Sequence, residues 1–147
     1  MIMKEDFVGY DLAVKLKEKG FPQVEKNTLA MYNEDGEWFS LATNLDTFEY
    51  SFEDFDDKDC VCPTIYQVLK WLREEKKIFV AINIGYCYES DGIPFPINHK
   101  MEPILKGYYF GICELDNLND KNARSEYFED YEHAVLEGID YVLDNWI

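Results

Sequence analysis

Hydrophobic and polar positions form their clearest pattern at residues 63–88, where a helix pattern runs directly into a strand pattern. Four apolar residues recur there at helical spacing: Ile65, Val68, Leu69 and Leu72. Thr64 and Gln67 have the spacing of a capping box, which predicts that the helix begins here. Residues 78–84 are almost continuously apolar and rich in β-branched side chains, which predicts a strand buried on at least one face.

Two further amphipathic segments predict helices at residues 9–19 and 130–146. Asp6 is a candidate cap for the first helix, and Asp130 for the last. Gly20 stands where a helix often ends in a left-handed residue, with Phe21 as the hydrophobic contact beyond it. Pro22 cannot continue a helix, so the first helix is expected to end at Gly20.

The remaining patterns predict strands at residues 28–32, 37–43 and 104–115. The first two flank a loop that ends in Gly36, which predicts a hairpin. Alternation in the second strand favours burial of Phe39 and Leu41. Gly107 and Gly111 in the last strand predict a bulge or a close contact.

These elements add up to an α+β fold in the order α-β-β-α-β-β-α, with one domain over residues 1–147. We expect a four-stranded, mainly antiparallel sheet covered by three helices, because the connections are of hairpin type. Residues 44–62 form an acidic, aromatic insertion that predicts either a strand or a loop held by its aromatic residues. Residues 89–103 form a long loop containing prolines.

The formal net charge of −16, from 30 acidic and 14 basic residues, narrows the range of partners. Nucleic-acid phosphates and anionic membranes would be repelled, so we expect neither as a direct partner. The N-terminus has no signal-peptide pattern and the chain has no run long enough for a membrane helix. A cytoplasmic protein with reduced cysteines is therefore expected.

The sequence contains no complete motif for metal binding, cofactor binding or catalysis. Cys60 and Cys62 are too close together for a zinc pair, and the two are expected to be loop thiols, with Cys87 and Cys113 buried on strands. The acidic run at residues 54–59 lacks the glycine of a calcium loop. We therefore predict no metal and no cofactor. His99 and His133 remain candidates for a general base, although each lacks a motif.

Aromatic residues are concentrated around the last strands and loops. Those that could form a partner-binding surface are Tyr86, Tyr88, Phe95, Tyr108 and Tyr109. Tyrosine supplies rigid contact area with a polar end, which suits such a surface. The alternative is that these residues pack between sheet and helix with their hydroxyls at the rim.

Three blocks of the chain, about a quarter of its length, resemble a known group of proteins. They are LAVKLKEKGF at residues 12–21, PTIYQVLKWLREE at 63–75 and YEHAVLEG at 131–138. The blocks are similar to a family of small uncharacterised proteins recurrent in Bacteroides-type gut bacteria and their phages. The resemblance implies a short cytosolic protein of phage or mobile-element origin, and it carries over no catalytic residue.

Three hypotheses of function follow, and the first is favoured. The chain is a small acidic interaction protein without enzymatic activity, which uses the aromatic strands and the loop at residues 89–103. Alternatively, its charge mimics nucleic acid and inhibits a DNA-binding protein. In the third hypothesis it is a small hydrolase that uses His99 or His133. Oligomeric state and partner identity stay open at this point.

Overall fold

The computed structural model describes residues 6–23, 30–40, 57–88, 103–116 and 122–147, with the backbone alone at residues 40, 86–88 and 103–105. These ranges contain three helices: α1 Tyr10–Glu18, α2 Ile65–Glu75 and α3 Tyr131–Asn145. They contain six strands: β1 Ala30–Tyr32, β2 Trp38–Ser40, β3 Cys60–Val61, β4 Ile78–Tyr88, β5 Pro103–Glu114 and β6 Asn122–Arg124.

Contacts divide the chain into two compact units, each of which contains one sheet. The first unit comprises Met1–Lys76 and Asp140–Ile147, and the second comprises Lys77–Ile139. The boundary falls within α3, whose residues up to Ile139 belong to the second unit. The assignment of one domain over residues 1–147 stays a prediction, because units of this kind also occur within single domains.

The α+β class is confirmed, but the expectation of one four-stranded sheet is wrong. The described residues form two three-stranded antiparallel sheets, with strand orders β2-β1-β3 and β4-β5-β6. The element order is α-β-β-β-α-β-β-β-α, because β3 and β6 were not predicted. β3 is only two residues long and β6 is a polar Asn-Ala-Arg, so neither carries an alternating pattern.

Helix α1 ends as the sequence predicts but begins differently. Gly20 has φ +91°, and its N–H donates to the Lys17 carbonyl oxygen at 3.1 Å while the Phe21 N–H reaches the Leu16 carbonyl oxygen at 2.9 Å. These two bonds form a Schellman motif. The helix starts at Tyr10 with Gly9 as its N-cap and no side-chain cap bond, so the prediction that Asp6 caps it is wrong.

The predicted hairpin of β1 and β2 is confirmed, and Gly36 adopts φ +80°. The Asn33 side-chain oxygen accepts the N–H groups of Asp35 and Glu37 and so fixes the turn. Burial of Phe39 was predicted from alternation and is wrong, since its side chain is 36% exposed. Phe39 pairs with Met31, but it lies on the edge strand, where parity does not ensure cover. Leu41 lies outside the described residues.

The predicted start of α2 is confirmed. The Thr64 hydroxyl accepts the Gln67 N–H at 3.1 Å, and the Gln67 side chain accepts the Thr64 N–H at 2.9 Å. This capping box satisfies two of the donors that a helix start leaves open. The buried face consists of Val68, Trp71 and Leu72, so two residues of the predicted stripe are buried, whereas Ile65 and Leu69 are only half-buried. The Trp71 ring packs edge-on against Phe21 at 5.3 Å between centroids.

The C-terminal part of α3 is tied to α1 within the first unit. Lys15 Nζ lies 2.5 Å from a carboxylate oxygen of Asp140 and 2.9 Å from one of Asp144. Hydrogen bonding to Asp140 and then to Asp144 raises the pKa of Lys15. Both carboxylates are four residues apart and therefore lie on one face of α3.

In the second unit, the first turns of α3 cover one face of the sheet. The predicted cap is confirmed, because an Asp130 carboxylate oxygen accepts the His133 N–H at 2.6 Å. Gly138 packs closely on the sheet: a Cβ at this position would lie 3.0 Å from Val80 and 3.2 Å from Phe110. The buried residues of this layer include Ile78, Val80, Phe110 and Ile112.

Candidate functional site

The register of the second sheet assigns its residues to two faces. One face packs under α3 and includes Val80 and Phe110. We call the opposite one the open face; it is defined by Phe79, Ala81, Asn83 and Gly85 of β4, Gly107, Tyr109, Gly111 and Cys113 of β5, and Asn122 and Arg124 of β6. Phe79 is 41% exposed, so a large apolar side chain stands on this face in contact with solvent.

The segment after β6 continues beside β5 and then bulges towards the open face. The Ser125 N–H donates to the Phe110 carbonyl oxygen at 3.0 Å, and Tyr108 and Phe128 exchange backbone hydrogen bonds of 2.8 and 2.7 Å. Glu126 and Tyr127 lie between these anchor points. The Tyr127 ring rests on the backbone of Gly85, where an added Cβ would come within 2.0 Å of a ring carbon.

A pair of glycines makes this arrangement possible. Gly85 and Gly107 are direct partners across β4 and β5, at a bulge that makes Lys106 the extra residue. Gly107 has φ +135°, and a Cβ there would lie 2.4 Å from the Phe128 carbonyl oxygen. The predicted bulge or close contact is therefore confirmed at Gly107. At Gly111 the nearest atom would be 3.7 Å from a Cβ, so that glycine is not required for close packing.

Two cations and two tyrosines meet on the open face. The Arg124 guanidinium carbon lies 4.2 Å from the centre of the Tyr109 ring, and Lys106 Nζ lies 5.9 Å from that of Tyr127. The two rings meet edge-on at 5.8 Å, and Arg124 donates a long hydrogen bond of 3.4 Å to the Tyr127 hydroxyl. We call these four residues the cation–aromatic cluster. The face of an aromatic ring carries negative electrostatic potential, so the Tyr109 ring attracts Arg124 and the Tyr127 ring attracts Lys106.

The charge of the open face differs from that of the whole chain. None of the strand positions on this face, as far as the structure describes them, is Asp or Glu. Arg124 stands on the face and Lys106 reaches it over Tyr127. In a chain with a net charge of −16, the described strand positions of this face thus carry basic and aromatic side chains and no acidic one, while Glu126 belongs to the bulge beside them.

The predicted partner-binding residues are only partly brought together. Tyr109 belongs to the cation–aromatic cluster, but Tyr108 lies on the opposite face, with its ring centre 6.0 Å from that of Tyr131. Only the backbone of Tyr86 and Tyr88 in β4 is described, and Phe95 lies outside the described residues. Whether these residues bind a partner stays a prediction.

Arg124 is not among the residues predicted from the sequence, because it lies in a short polar segment without an alternating pattern. Tyr127 is not among the aromatic residues predicted to bind a partner. A usable indication existed in the isolated Gly85, since a glycine inside a strand often marks a close approach by another group. Nothing local in the sequence, however, indicates that Tyr127 is that group.

The predicted candidates for catalysis do not form a site within the described residues. His133 is exposed, with Nε2 3.5 Å from a Glu137 carboxylate oxygen and its ring 5.0 Å from that of Phe128. His99 lies outside the described residues. No group of three or more His, Cys, Asp or Glu side chains able to hold a metal occurs in the described ranges.

The cysteines are arranged differently from the prediction. Cys60 and Cys62, expected to be loop thiols, are both buried, and Cys60 lies on β3. Burial raises the pKa of the Cys60 thiol, which keeps it protonated and a poor nucleophile. Cys113, expected to be buried, lies on β5 and is only half-buried. The side chain of Cys87 is not described.

Comparisons with models of protein families, with curated proteins and with solved structures find no match to this chain. The phage or mobile-element origin implied by the resemblance of the three blocks therefore stays a prediction. Among the helices in the described residues, none combines the length and apolar character needed to span a membrane.

Proposed function

We propose that this chain is a protein-interaction module without enzymatic activity, which binds an acidic, extended segment of a partner protein on the open face of its second sheet. The observation that carries the proposal is the cation–aromatic cluster on a face that holds no carboxylate among its described strand positions. Tyrosine and arginine are the residues most often found at the energetic centres of protein interfaces.

The chemistry of the cluster favours carboxylates in the partner. A guanidinium has five N–H donors in a planar fork, more than the Tyr127 hydroxyl can accept, so Arg124 can bind a carboxylate through two hydrogen bonds. Its stacking on Tyr109 holds the fork in one orientation and reduces the entropy lost on binding. Phe79 and Tyr127, 41% and 44% exposed, add apolar contact area beside the charges.

A single-stranded nucleic acid would meet the same cations and rings, but the charge of the chain disfavours it. Nucleic acids bring one negative charge per nucleotide, and their affinity depends on several neutralised phosphates. The cluster offers only Arg124 and Lys106, and the net charge of −16 repels a long polyanion. A short acidic peptide needs fewer cations, and we therefore favour it.

The test is a fluorescence-anisotropy titration with a labelled peptide in which Glu alternates with Val. We expect binding in the micromolar range that Arg124→Ala weakens about tenfold or more, the equivalent of about 1.4 kcal/mol. Arg73→Ala is the matched control, because it removes the same charge from α2 of the first unit and should leave the affinity unchanged. Higher salt should weaken the complex.

Three outcomes would overturn the proposal. The first is no binding, and the second is equal binding of a peptide in which Lys replaces Glu. The third is equal weakening by Arg124→Ala and Arg73→Ala. Tighter binding of a labelled oligothymidylate than of the Glu peptide would assign the face to nucleic acid instead.

A further inference from the structure

Strand β4 forms a long edge of the second sheet without any charged residue. In the order β4-β5-β6, β4 pairs only with β5 among the described strands. It spans 11 residues, Ile78–Tyr88. This segment is the longest run in the sequence without Asp, Glu, Lys or Arg. Natural proteins usually guard such edges with charges, because unpaired backbone groups are a template for another strand.

The hydrogen-bond alternation shows which β4 groups point outwards. The Leu115 N–H donates to the Lys77 carbonyl oxygen at 2.7 Å, which makes Lys77 and Leu115 a hydrogen-bonded pair. Because such pairs alternate along an antiparallel ladder, the N–H and C=O groups of Val80, Ile82 and Ile84 are directed away from β5. The outward-directed residues are thus all β-branched and favour further strand pairing.

The opposite edge of the sheet is guarded. β6 has three residues, and its last one, Arg124, is charged. The chain then bulges at Glu126 and Tyr127 before Phe128 pairs again with Tyr108. Short length, charge and a bulge are three of the features that block edge pairing. β4 has neither of the first two, and the only bulge in its pairing with β5 has its extra residue, Lys106, on β5.

We propose that β4 pairs with β4 of a second copy of this chain, antiparallel and about a twofold axis. A twofold contact brings each patch against itself, so in a chain of charge −16 most patches would oppose like charges. Among the described strands, β4 is the longest in which no charged residue would face its own copy. An axis through Ile82 sets Val80 opposite Ile84 of the second copy, and Phe79 opposite its Gly85. Ile84, 48% exposed, and Phe79 would then be covered.

The expected dimer is weak and depends on salt in a characteristic direction. A single pair of strands falls in the small class of interfaces, below about 1,200 Å², which is typical of transient complexes. The two copies repel each other through their net charge, and salt screens this repulsion over about 10 Å at 0.1 M. Self-association should therefore strengthen with salt, whereas binding of the acidic peptide to the open face should weaken.

Sedimentation velocity over a range of protein concentrations, at about 0.05 M and about 0.5 M NaCl, tests the pairing. We expect a concentration-dependent dimer that is stronger at the higher salt. Ile84→Lys should weaken it about tenfold or more, because it adds a charge to the edge. Leu115→Lys is the matched control, since it places the same charge at an exposed apolar position outside β4 and should leave the dimer intact.

Amide hydrogen exchange of the unmodified chain, resolved by residue, gives a readout independent of any variant. The amides of Val80, Ile82 and Ile84 should exchange more slowly as the protein concentration rises, while those of Ala81 and Asn83, which face β5, should not change. A monomer at every concentration and both salts, exchange at Ile82 independent of concentration, or an Ile84→Lys dimer as tight as the original would each overturn the proposal. Arg124→Ala, which tests the open face, should not affect the dimer.

Discussion

The two sheets differ in how their side chains meet water. In the first, every residue of the central strand β1 is buried, including Met31 at 2% exposure, and both residues of β3 are buried as well. In the second, strands β4 and β5 have 11 and 12 residues against three in β1, yet one face of this sheet carries the exposed side chains of Phe79 and Tyr127. β1 and β3 therefore lie wholly in the core, whereas β4 and β5 bury one face under α3 and present the other to solvent.

The polar groups of the two sheets follow the same division. In the first, the Tyr32 hydroxyl donates to the Val8 carbonyl oxygen at 2.8 Å, and the Gln23 side chain joins the Val61 N–H to the Phe21 carbonyl oxygen. The hydrogen-bonding capacity of these polar groups is therefore met by partners within the protein, as is usual for buried polar groups. In the second, Arg124 and Lys106 lie on tyrosine rings at the surface. We infer that the first sheet serves stability and the second serves recognition.

The largest expected effect separates buried from exposed apolar residues. Met31→Ala in β1 should lower the free energy of unfolding by about 2–5 kcal/mol, because it leaves a cavity in a fully buried strand. Phe79→Ala on the open face should change it by only about 0.5 kcal/mol. Urea unfolding followed by circular dichroism measures both. Equal losses would mean that the second sheet is as much a part of the core as the first.

A smaller effect tests the close packing of Tyr127 on the open face. Gly85→Ala should destabilise the protein by about 1–3 kcal/mol, because the new methyl group would overlap the Tyr127 ring. Gly111→Ala on the same face is the control and should cost little, since its nearest neighbour lies 3.7 Å away. If both substitutions cost the same, the loss comes from the strand glycines themselves and not from Tyr127.

The smallest effect depends on pH and concerns the first sheet. Burial raises the pKa of the Tyr32 hydroxyl and that of the Cys60 thiol above their ordinary values of 10.0 and 9.0. Both groups are neutral in the fold, so their contribution is complete below the unfolded pKa values. This stabilisation is lost as the pH rises from the unfolded pKa values through the raised pKa values of the folded state, because the unfolded chain releases these protons at a lower pH than the folded chain. The urea concentration at the midpoint of unfolding should therefore decrease once the pH exceeds about 9.

Tyr32→Phe isolates the tyrosine part of this dependence. It should cost about 0.5–1.5 kcal/mol at neutral pH, since the hydrogen bond to Val8 is lost, and it should flatten the decline above about pH 10. Tyr66→Phe, at an exposed position on α2, should leave the decline unchanged. An unchanged slope in Tyr32→Phe would assign the pH dependence to other groups.

Local rules account for the parts of the fold that the sequence predicted correctly. The capping box of Thr64 and Gln67, the helix end at Gly20 and the hairpin turn at Gly36 each depend on residues within a few positions of one another. In each case the local preference of the sequence agrees with the fold, so a short stretch is enough to predict the geometry. The segment from α2 into β4, which has the clearest pattern of apolar residues in the chain, lies where it was predicted.

The parts that were wrong depend on contacts between distant residues. Division of the strands into two sheets follows from which strands pair, and alternation along one strand does not encode its partner. Phe39 was wrong for a related reason: alternation does not say which face of β2 is covered, and Trp38, of the opposite parity, packs on Phe7 and is the less exposed of the two. In the candidate site, Tyr109 could be selected as an aromatic strand residue. Arg124 could not, because its role depends on pairing between β5 and β6.

The thiols of the first sheet have a practical consequence. Cys60 and Cys62 are sealed in the interior, at 2% and 1% exposure, so an alkylating reagent reaches them only when that part of the chain opens. Cys113 is half-buried on β5 and is more accessible without such opening. Mass spectrometry of the alkylated peptides would thus measure how fast the first sheet opens. The labelling of Cys113 in the second sheet serves as an internal reference, and no residue has to be substituted.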